Sequence, residues 1–388
     1  MTFRSSGTSL VIATWLVALS ASRAPAQVLE RGSIVDRVQC AGNAEQTYAL
    51  YLPSTYSPER TWSLILAFHP AARGRLMVEK FQAAAEEYGY IVAASNNSRN
   101  GPYAVSHAAA QAMIMDVGQR FNVDPQRVYL AGMSGGARVA TGIALGNKNI
   151  AGVIASSAGY PDSQPRASVS FAIFSTAGTE DFNYMEMRLL DRKLTSPHFL
   201  AVFQGGHTLP PDDVAVDALE WLEIQAMQSG RRTRDDALAK RILERRRGRL
   251  AAADGPAETV YLLTALVSDF KGLADVSAEA ARLDQMSRQA DVKKALKRQR
   301  DADSAEGRML EEIFGLEARL GSDEGREVPL MMLRDRLSKL SRKATAETDT
   351  PERSQARRVL RSVTAGAPGR VQDREYLTLL EQYRLPGR

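Results

Sequence analysis

Up to about residue 228 the chain alternates short β-branched or aromatic runs with amphipathic segments, and no other feature of it restricts the fold as much. The runs predict strands at 34–39, 47–52, 63–69, 90–95, 127–133, 152–157, 170–176 and 199–204. The segments between them predict helices at 76–88, 104–120, 135–145, 184–194 and 213–226. The later strands are continuously apolar, as strands covered on both faces must be. Strand–helix alternation demands a mostly parallel sheet with right-handed crossovers. No helix separates the first two strands, so they are expected as an antiparallel hairpin at one edge. The expected fold is a three-layer α/β class, a mostly parallel sheet between helices.

Beyond Gln228 the strand-like runs stop, and Arg, Ala, Leu and Glu recur at helical spacing. Val260, Leu263, Leu266, Val267 and Phe270 share one helical face. Leu310, Ile313, Leu316 and Leu320 make a second stripe, and Leu330, Leu333, Leu337 and Leu340 a third after Pro329. This predicts an all-α C-terminal region, a bundle or arm, with no fixed repeat period. Arg4 followed by a short apolar run at 10–19 and by Ala24-Pro25-Ala26 reads as a signal peptide cleaved after Ala26. The expected organisation is therefore a signal peptide at 1–26, an α/β domain at 27–228 and a helical region at 229–388, with the mature chain periplasmic or secreted.

Cys40 is the only cysteine, so no intramolecular disulfide can form and the fold must stand on its core. A lone thiol of this kind reads as buried and inert. The four histidines, His69, His107, His198 and His207, leave little material for a metal site, and the reading calls for no cofactor. The net charge of +5 is unevenly spread: residues 230–388 hold 33 Lys and Arg against 26 Asp and Glu. The basic character belongs to the helical region, away from the part expected to do chemistry.

Gly132-Met133-Ser134-Gly135-Gly136 is a G-x-S-x-G pentapeptide between an apolar strand and a small-residue helix, the context of a nucleophile elbow. The turn lifts the Ser134 hydroxyl clear of the sheet at a helix N-terminus, where partial positive charge favours developing anions. A hydroxyl needs a base near neutral pH. Asp181 follows the run at 170–176 in Ala177-Gly178-Thr179-Glu180-Asp181, and His207 follows the next run in Gly205-Gly206-His207. The chain order Ser, Asp, His, each at a strand end, predicts a triad in which Ser134 attacks, His207 shuttles the proton and Asp181 orients the imidazole. Glu180 is the rival acid. His107 and His198 read as ordinary polar surface. An oxyanion needs backbone donors. Gly135 should supply one, and the loop His69-Pro70-Ala71-Ala72-Arg73-Gly74 the other; Pro70 has no N–H, which leaves Ala71, with Ala72 second. His69 is expected to brace that loop.

With these motifs in place, residues 47–226 resemble the esterase branch of the α/β-hydrolase superfamily that includes polyhydroxyalkanoate depolymerases, feruloyl esterases and dienelactone-hydrolase-like proteins. The matching pieces are Leu66-Ala67-Phe68-His69, the segment Asp124-Pro125-Gln126-Arg127-Val128-Tyr129 leading into the pentapeptide, Gly178-Thr179-Glu180-Asp181 and Gly206-His207. The resemblance implies cofactor-free hydrolysis of carboxylic esters. It departs at Pro70, where that branch usually has glycine, and in the disulfides, which cannot form here.

Only residues 160–169 separate the strand at 152–157 from the next, too few for a lid domain. An open cleft for a small soluble or polymeric ester is therefore expected. The arginine-rich start of the helical region (Arg231, Arg232, Arg234, Arg241, Arg245, Arg246, Arg247 and Arg249, with Lys240) has two readings. One is a solvated helix face paired with Asp235, Asp236 and Glu244; the other is docking on an anionic envelope surface or a protein partner. Export argues against a nucleic-acid partner. A thioester or peptide bond on the same triad, or a degenerate hydrolase domain carrying an interaction arm, are the competing functions.

Overall fold

The computed structural model describes residues 29–162, 166–321, 325–348 and 350–386. The expected signal peptide, residues 1–26, lies outside the described residues. Eight strands, β1 (Ile34–Cys40), β2 (Asn43–Tyr51), β3 (Trp62–Phe68), β4 (Tyr90–Ser95), β5 (Val123–Met133), β6 (Ile150–Ser156), β7 (Ala172–Gly178) and β8 (His198–Phe203), form one sheet in the order β1-β2-β4-β3-β5-β6-β7-β8. β1 and β2 are an antiparallel edge hairpin, β2 lies antiparallel on β4, and every later pairing is parallel.

Every residue of β3, β4, β6 and β7 is buried, the direct consequence of helices on both faces. On one face α1 (Gly74–Tyr88) and α5 (Asp212–Gln228) press Met77, Phe81, Leu219, Trp221 and Leu222 onto the sheet. On the other lie α2 (Tyr103–Arg120), α3 (Gly135–Gly146) and α4 (Tyr184–Lys193), contributing Met113, Val117, Val139, Met187 and Leu190. This is a three-layer α/β-hydrolase fold followed by an all-α region. Cys40 is buried in the second core, and burial, aided by Asp116, pushes its thiol up to about 11. It stays a neutral, inert thiol near neutral pH.

The helical region comprises α6 (Asp236–Ala251), α7 (Gly255–Phe270), α8 (Ser277–Arg288), α9 (Ala290–Ala318), α10 (Glu327–Ala344), α11 (Pro351–Arg370) and α12 (Arg374–Glu381). Its apolar stripes split between two destinations. Leu238, Ile242, Leu263, Leu266 and Phe270 of α6 and α7 join the core beneath α5, so apolar packing runs on past residue 228. Ile313 and Leu316 of α9, the third stripe on α10, Val359, Leu360 and Val363 of α11, and Tyr376 of α12 form a separate core. Among the described residues, no helix is long and apolar enough to cross a membrane.

The arginine cluster is largely spent inside the molecule. Arg232 and Arg127 both pair with the fully buried Glu223, and Arg245 pairs with the fully buried Glu220 and with Glu87. Arg249 bridges Asp213 and Asp217 of α5. Arg234 pairs with Asp236, and Arg247 with Glu244 and Glu279. All three acids expected from sequence are in use, Asp235 on Arg232, Asp236 on Arg234 and Glu244 on Arg247, but most partners are carboxylates of the sheet domain. The cluster fastens α6 to that domain, since a buried carboxylate is tolerated only with a charged partner.

Candidate active site

Parallel register sets the site. Met133 pairs with Ser156, Ser156 with Thr176, and Gly178 with Phe203, so the C-terminal ends of β5, β6, β7 and β8 share one edge of the sheet. The residue after β5 is Ser134, and the loops after β7 and β8 carry Asp181 and His207.

Ser134 has φ 53° and ψ −121°, a conformation rarely adopted by a residue with a side chain. Strain of this kind costs on the order of 1–3 kcal/mol and persists only when surroundings enforce it. Here the enforcement is a crossing of backbones. A Cβ on Gly132 would sit 2.2 Å from the Gly136 carbonyl oxygen, and one on Gly136 would sit 2.2 Å from the Phe68 oxygen. The Ser134 N–H donates to Ser156 O at 2.8 Å, which ties the turn to β6.

The three residues singled out from sequence come together. The Ser134 Oγ lies 2.8 Å from His207 Nε2, and His207 Nδ1 lies 2.8 Å from Asp181 Oδ1. The carboxylate can only accept, so Nδ1 carries the proton and Nε2 is left as acceptor for the serine hydroxyl. Asp181 is fully buried, and its Oδ1 also accepts from the Asn183 N–H at 2.8 Å. Phe182, between these two residues, stacks on the imidazole at 3.8 Å between ring centres. Glu180, the rival acid, points elsewhere: Arg357 and Arg361 of α11 hold its carboxylate at 2.7 and 3.0 Å. His107 is exposed on α2, and His198 opens β8 with its Nδ1 2.7 Å from Ser196 O.

The donor loop has a different arrangement from the expected one. The first amides of α3, Gly135 among them, precede any intrahelical acceptor and face the site's anion-favouring end. The Ala71 N–H, however, donates to His69 Nδ1 at 3.0 Å, and the Ala72 N–H to His69 O at 3.2 Å. In this conformation neither amide is free to meet an oxyanion. Burial, with Arg73 adding to it, pushes the His69 imidazole below its ordinary value, so it is neutral and braces the loop as an acceptor. Asn100, not marked by the sequence, packs its side-chain amide against Gly135, where a Cβ would fall 1.8 Å from Oδ1. Its backbone N–H also holds Pro70 O at 2.8 Å.

A cavity of about 860 Å³ lies beside Phe182, between α4 and the helical region. Met185 and Leu189 line it from α4, Leu310 and Phe314 from α9, and Arg138 with Glu186 forms an ion pair at 2.7 Å on its wall. The short segment after β6 reaches this wall through Tyr160 and Pro161, so closure on this side comes largely from the C-terminal helices. Among the described residues, no group of three or more His, Cys, Asp or Glu could hold a metal ion.

No protein-family model matches the chain, and no curated protein matches its sequence significantly. Solved structures are similar to about half of the chain. A feruloyl esterase module from Clostridium thermocellum, solved with sinapinate, is 12% identical over 45% of this chain and 82% of that one, with a TM-score of 0.38. Thermogutta terrifontis esterase 2, phosphorylated by paraoxon, is 15% identical over 51% of this chain and 94% of that one, with a TM-score of 0.38. Porphyromonas gingivalis dipeptidyl peptidase 4 is 14% identical over 49% of this chain but only 35% of that one, with a TM-score of 0.39.

Proposed function

We propose that the chain is an exported serine hydrolase that cleaves carboxylic esters through an acyl-enzyme. The reading is carried by the unbroken line of hydrogen bonds from Ser134 through His207 to buried Asp181. Ser134 Oγ attacks the acyl carbon while His207 Nε2 takes its proton; the imidazolium formed is stabilised by Asp181 and returns the proton to the leaving alcohol. Water, deprotonated by the same nitrogen, then releases the acid. The developing oxyanion meets Gly135 N–H at the start of α3, with a second donor from Ala71 once its bond to His69 is exchanged. The apolar wall of the neighbouring cavity accepts the non-polar part of the ester.

The test is labelling with a fluorophosphonate probe. The wild-type chain should react and Ser134→Ala should not; an unlabelled, folded wild type would refute the reading. A panel of short-chain nitrophenyl, feruloyl, acetyl-sugar and polyester substrates then assigns the ester class. Export rests on the N-terminal sequence, and N-terminal sequencing of mature protein from a periplasmic fraction should begin at Gln27.

A further inference from the structure

The two hydrogen bonds of the Asp181 carboxylate both fall on Oδ1, and the buried Oδ2 has no partner among the described residues. The Asp181 backbone is bonded within its own turn, the N–H to Gly178 O and the carbonyl from the Tyr184 N–H, both at 3.0 Å. The direction of the carboxylate is therefore set by the turn that carries it, and that turn is gripped from α11. The Arg357 Nη1 donates to Glu180 Oε1 at 2.7 Å, and the Arg361 Nη1 to Glu180 Oε2 at 3.0 Å and to Glu180 O at 3.2 Å. The Arg358 Nη1 donates to Thr179 O at 2.7 Å. These contacts cover the two residues immediately before Asp181.

The grip is itself anchored. Arg358 also holds Glu306 of α9 through two bonds, at 2.9 and 2.5 Å, and its guanidinium lies 4.3 Å over the ring of Tyr184, which opens α4 three residues after Asp181. The Arg357 Nε donates to Ala344 O at the end of α10 at 2.9 Å. The Arg361 guanidinium also reaches the histidine loop, where a Cβ on Gly206 would lie 3.3 Å from Nη1. All three arginine side chains are at least four-fifths buried. Pairs this buried are strong only when intact, because removing one partner strands a charge.

We propose that Arg357, Arg358 and Arg361 are positioning residues for the reaction: the C-terminal helices hold the Glu180–Asp181 turn so that Asp181 faces His207, and the active site is complete only with them. This rests on the proposed Ser134–His207–Asp181 reading. A helical arm serving only to bind partners would have no need to hold the backbone beside the acid.

The experiment uses the full chain and compares wild type with Arg361→Ala, Arg361→Lys, Glu180→Gln and the exposed control Arg288→Ala. The readouts are the fluorophosphonate labelling rate, kcat and KM on a short-chain nitrophenyl ester, and the downfield proton resonance of the His207 Nδ1–H. Arg361→Ala should lower the labelling rate and kcat by about 10- to 100-fold with KM little changed, the scale expected for misplaced catalytic groups. It should also broaden or shift the downfield proton; Arg361→Lys should recover part of the rate, and Arg288→Ala should match wild type. Glu180→Gln preserves shape while weakening the grip, so it decides the matter if Arg361→Ala does not fold. A wild type that labels, with folded variants labelling equally fast and the same downfield proton, overturns the positioning role alone; a wild type that does not label overturns the reading beneath it.

Discussion

Gly178→Ala tests the site geometry with the smallest possible change. Gly178 ends β7 with an ordinary backbone conformation, so alanine is barred there only by space. A Cβ would sit 2.3 Å from Gly206 O and 2.5 Å from Gly205 O, both backbone atoms that no rotamer change can move aside. Real Cβ contacts essentially never fall below 3.0 Å, so the acid loop and the histidine loop must part by about 0.7 Å. Applied to the 2.8 Å bond between His207 Nδ1 and Asp181 Oδ1, that displacement reaches the limit of hydrogen bonding. Misplacement on this scale costs on the order of 100-fold in rate, equivalent to about 2.7 kcal/mol of barrier. The overpacking itself should cost about 1–3 kcal/mol of stability. Steady-state kinetics on a nitrophenyl ester, with KM and circular dichroism alongside, should show a collapse in kcat in a folded protein. A folded Gly178→Ala with kcat within about twofold of wild type would refute the argument that loop spacing governs the site.

Gly118→Ala is the counterpart: Gly118 is exposed in α2 with nothing within 4 Å of its missing Cβ, so alanine should stabilise by about 0.5–1 kcal/mol in urea denaturation. Glu223→Gln should destabilise by about 3–5 kcal/mol in the same assay, because it removes the buried charge that Arg127 and Arg232 share and leaves Arg127 against Tyr90 without a carboxylate; a loss below about 1 kcal/mol would contradict that account. Burial pushes Asp269 from 3.8 up to about 6, against hydrogen bonds from Trp221 and Gln225. The folded chain then holds this proton more tightly than the unfolded one between those values, and stability falls as pH rises through that window. Asp269→Asn should therefore raise Tm near pH 7.5 and lose its advantage near pH 4, and an equal effect at both would contradict the shift.

The sheet was legible because its information is local. Strands covered on both faces leave uninterrupted apolar runs, so each run's end, and the residue just past it, could be placed before any coordinate was known. Ser134 occupies such a position, and Asp181 and His207 lie in the short loops that follow the ends of β7 and β8, which is why all three are legible in the chain alone. β5 begins at Val123 rather than Arg127 because Val123, ahead of the polar Asp124-Pro125-Gln126 that breaks the apolar run, still pairs with Trp62 across a shift in register. The donor loop was less legible: whether the Ala71 amide is free depends on where the His69 ring turns, and no periodicity encodes a rotamer. The α11 grip was invisible for another reason. Its partners stand 177 to 181 residues apart, and arginines on an amphipathic helix look alike whether they meet water or a buried carbonyl. Composition did mark Gln228 as a change of texture and α5 does end there, but the apolar layer beneath α5 takes its lower half from later residues.

That last arrangement sets a limit on surgery. Cutting the chain after α5 would strip Leu238, Ile242, Leu263, Leu266 and Phe270 from the underside of the sheet domain, take Arg245 of α6 from Glu220, and leave Glu223 with Arg127 but without Arg232. The excised piece would carry a bare oily flank beside a carboxylate, Glu220, that has lost its cation, and would be prone to clump in solution. Any transplantable unit must therefore keep α6 and α7, and so extend past Phe270.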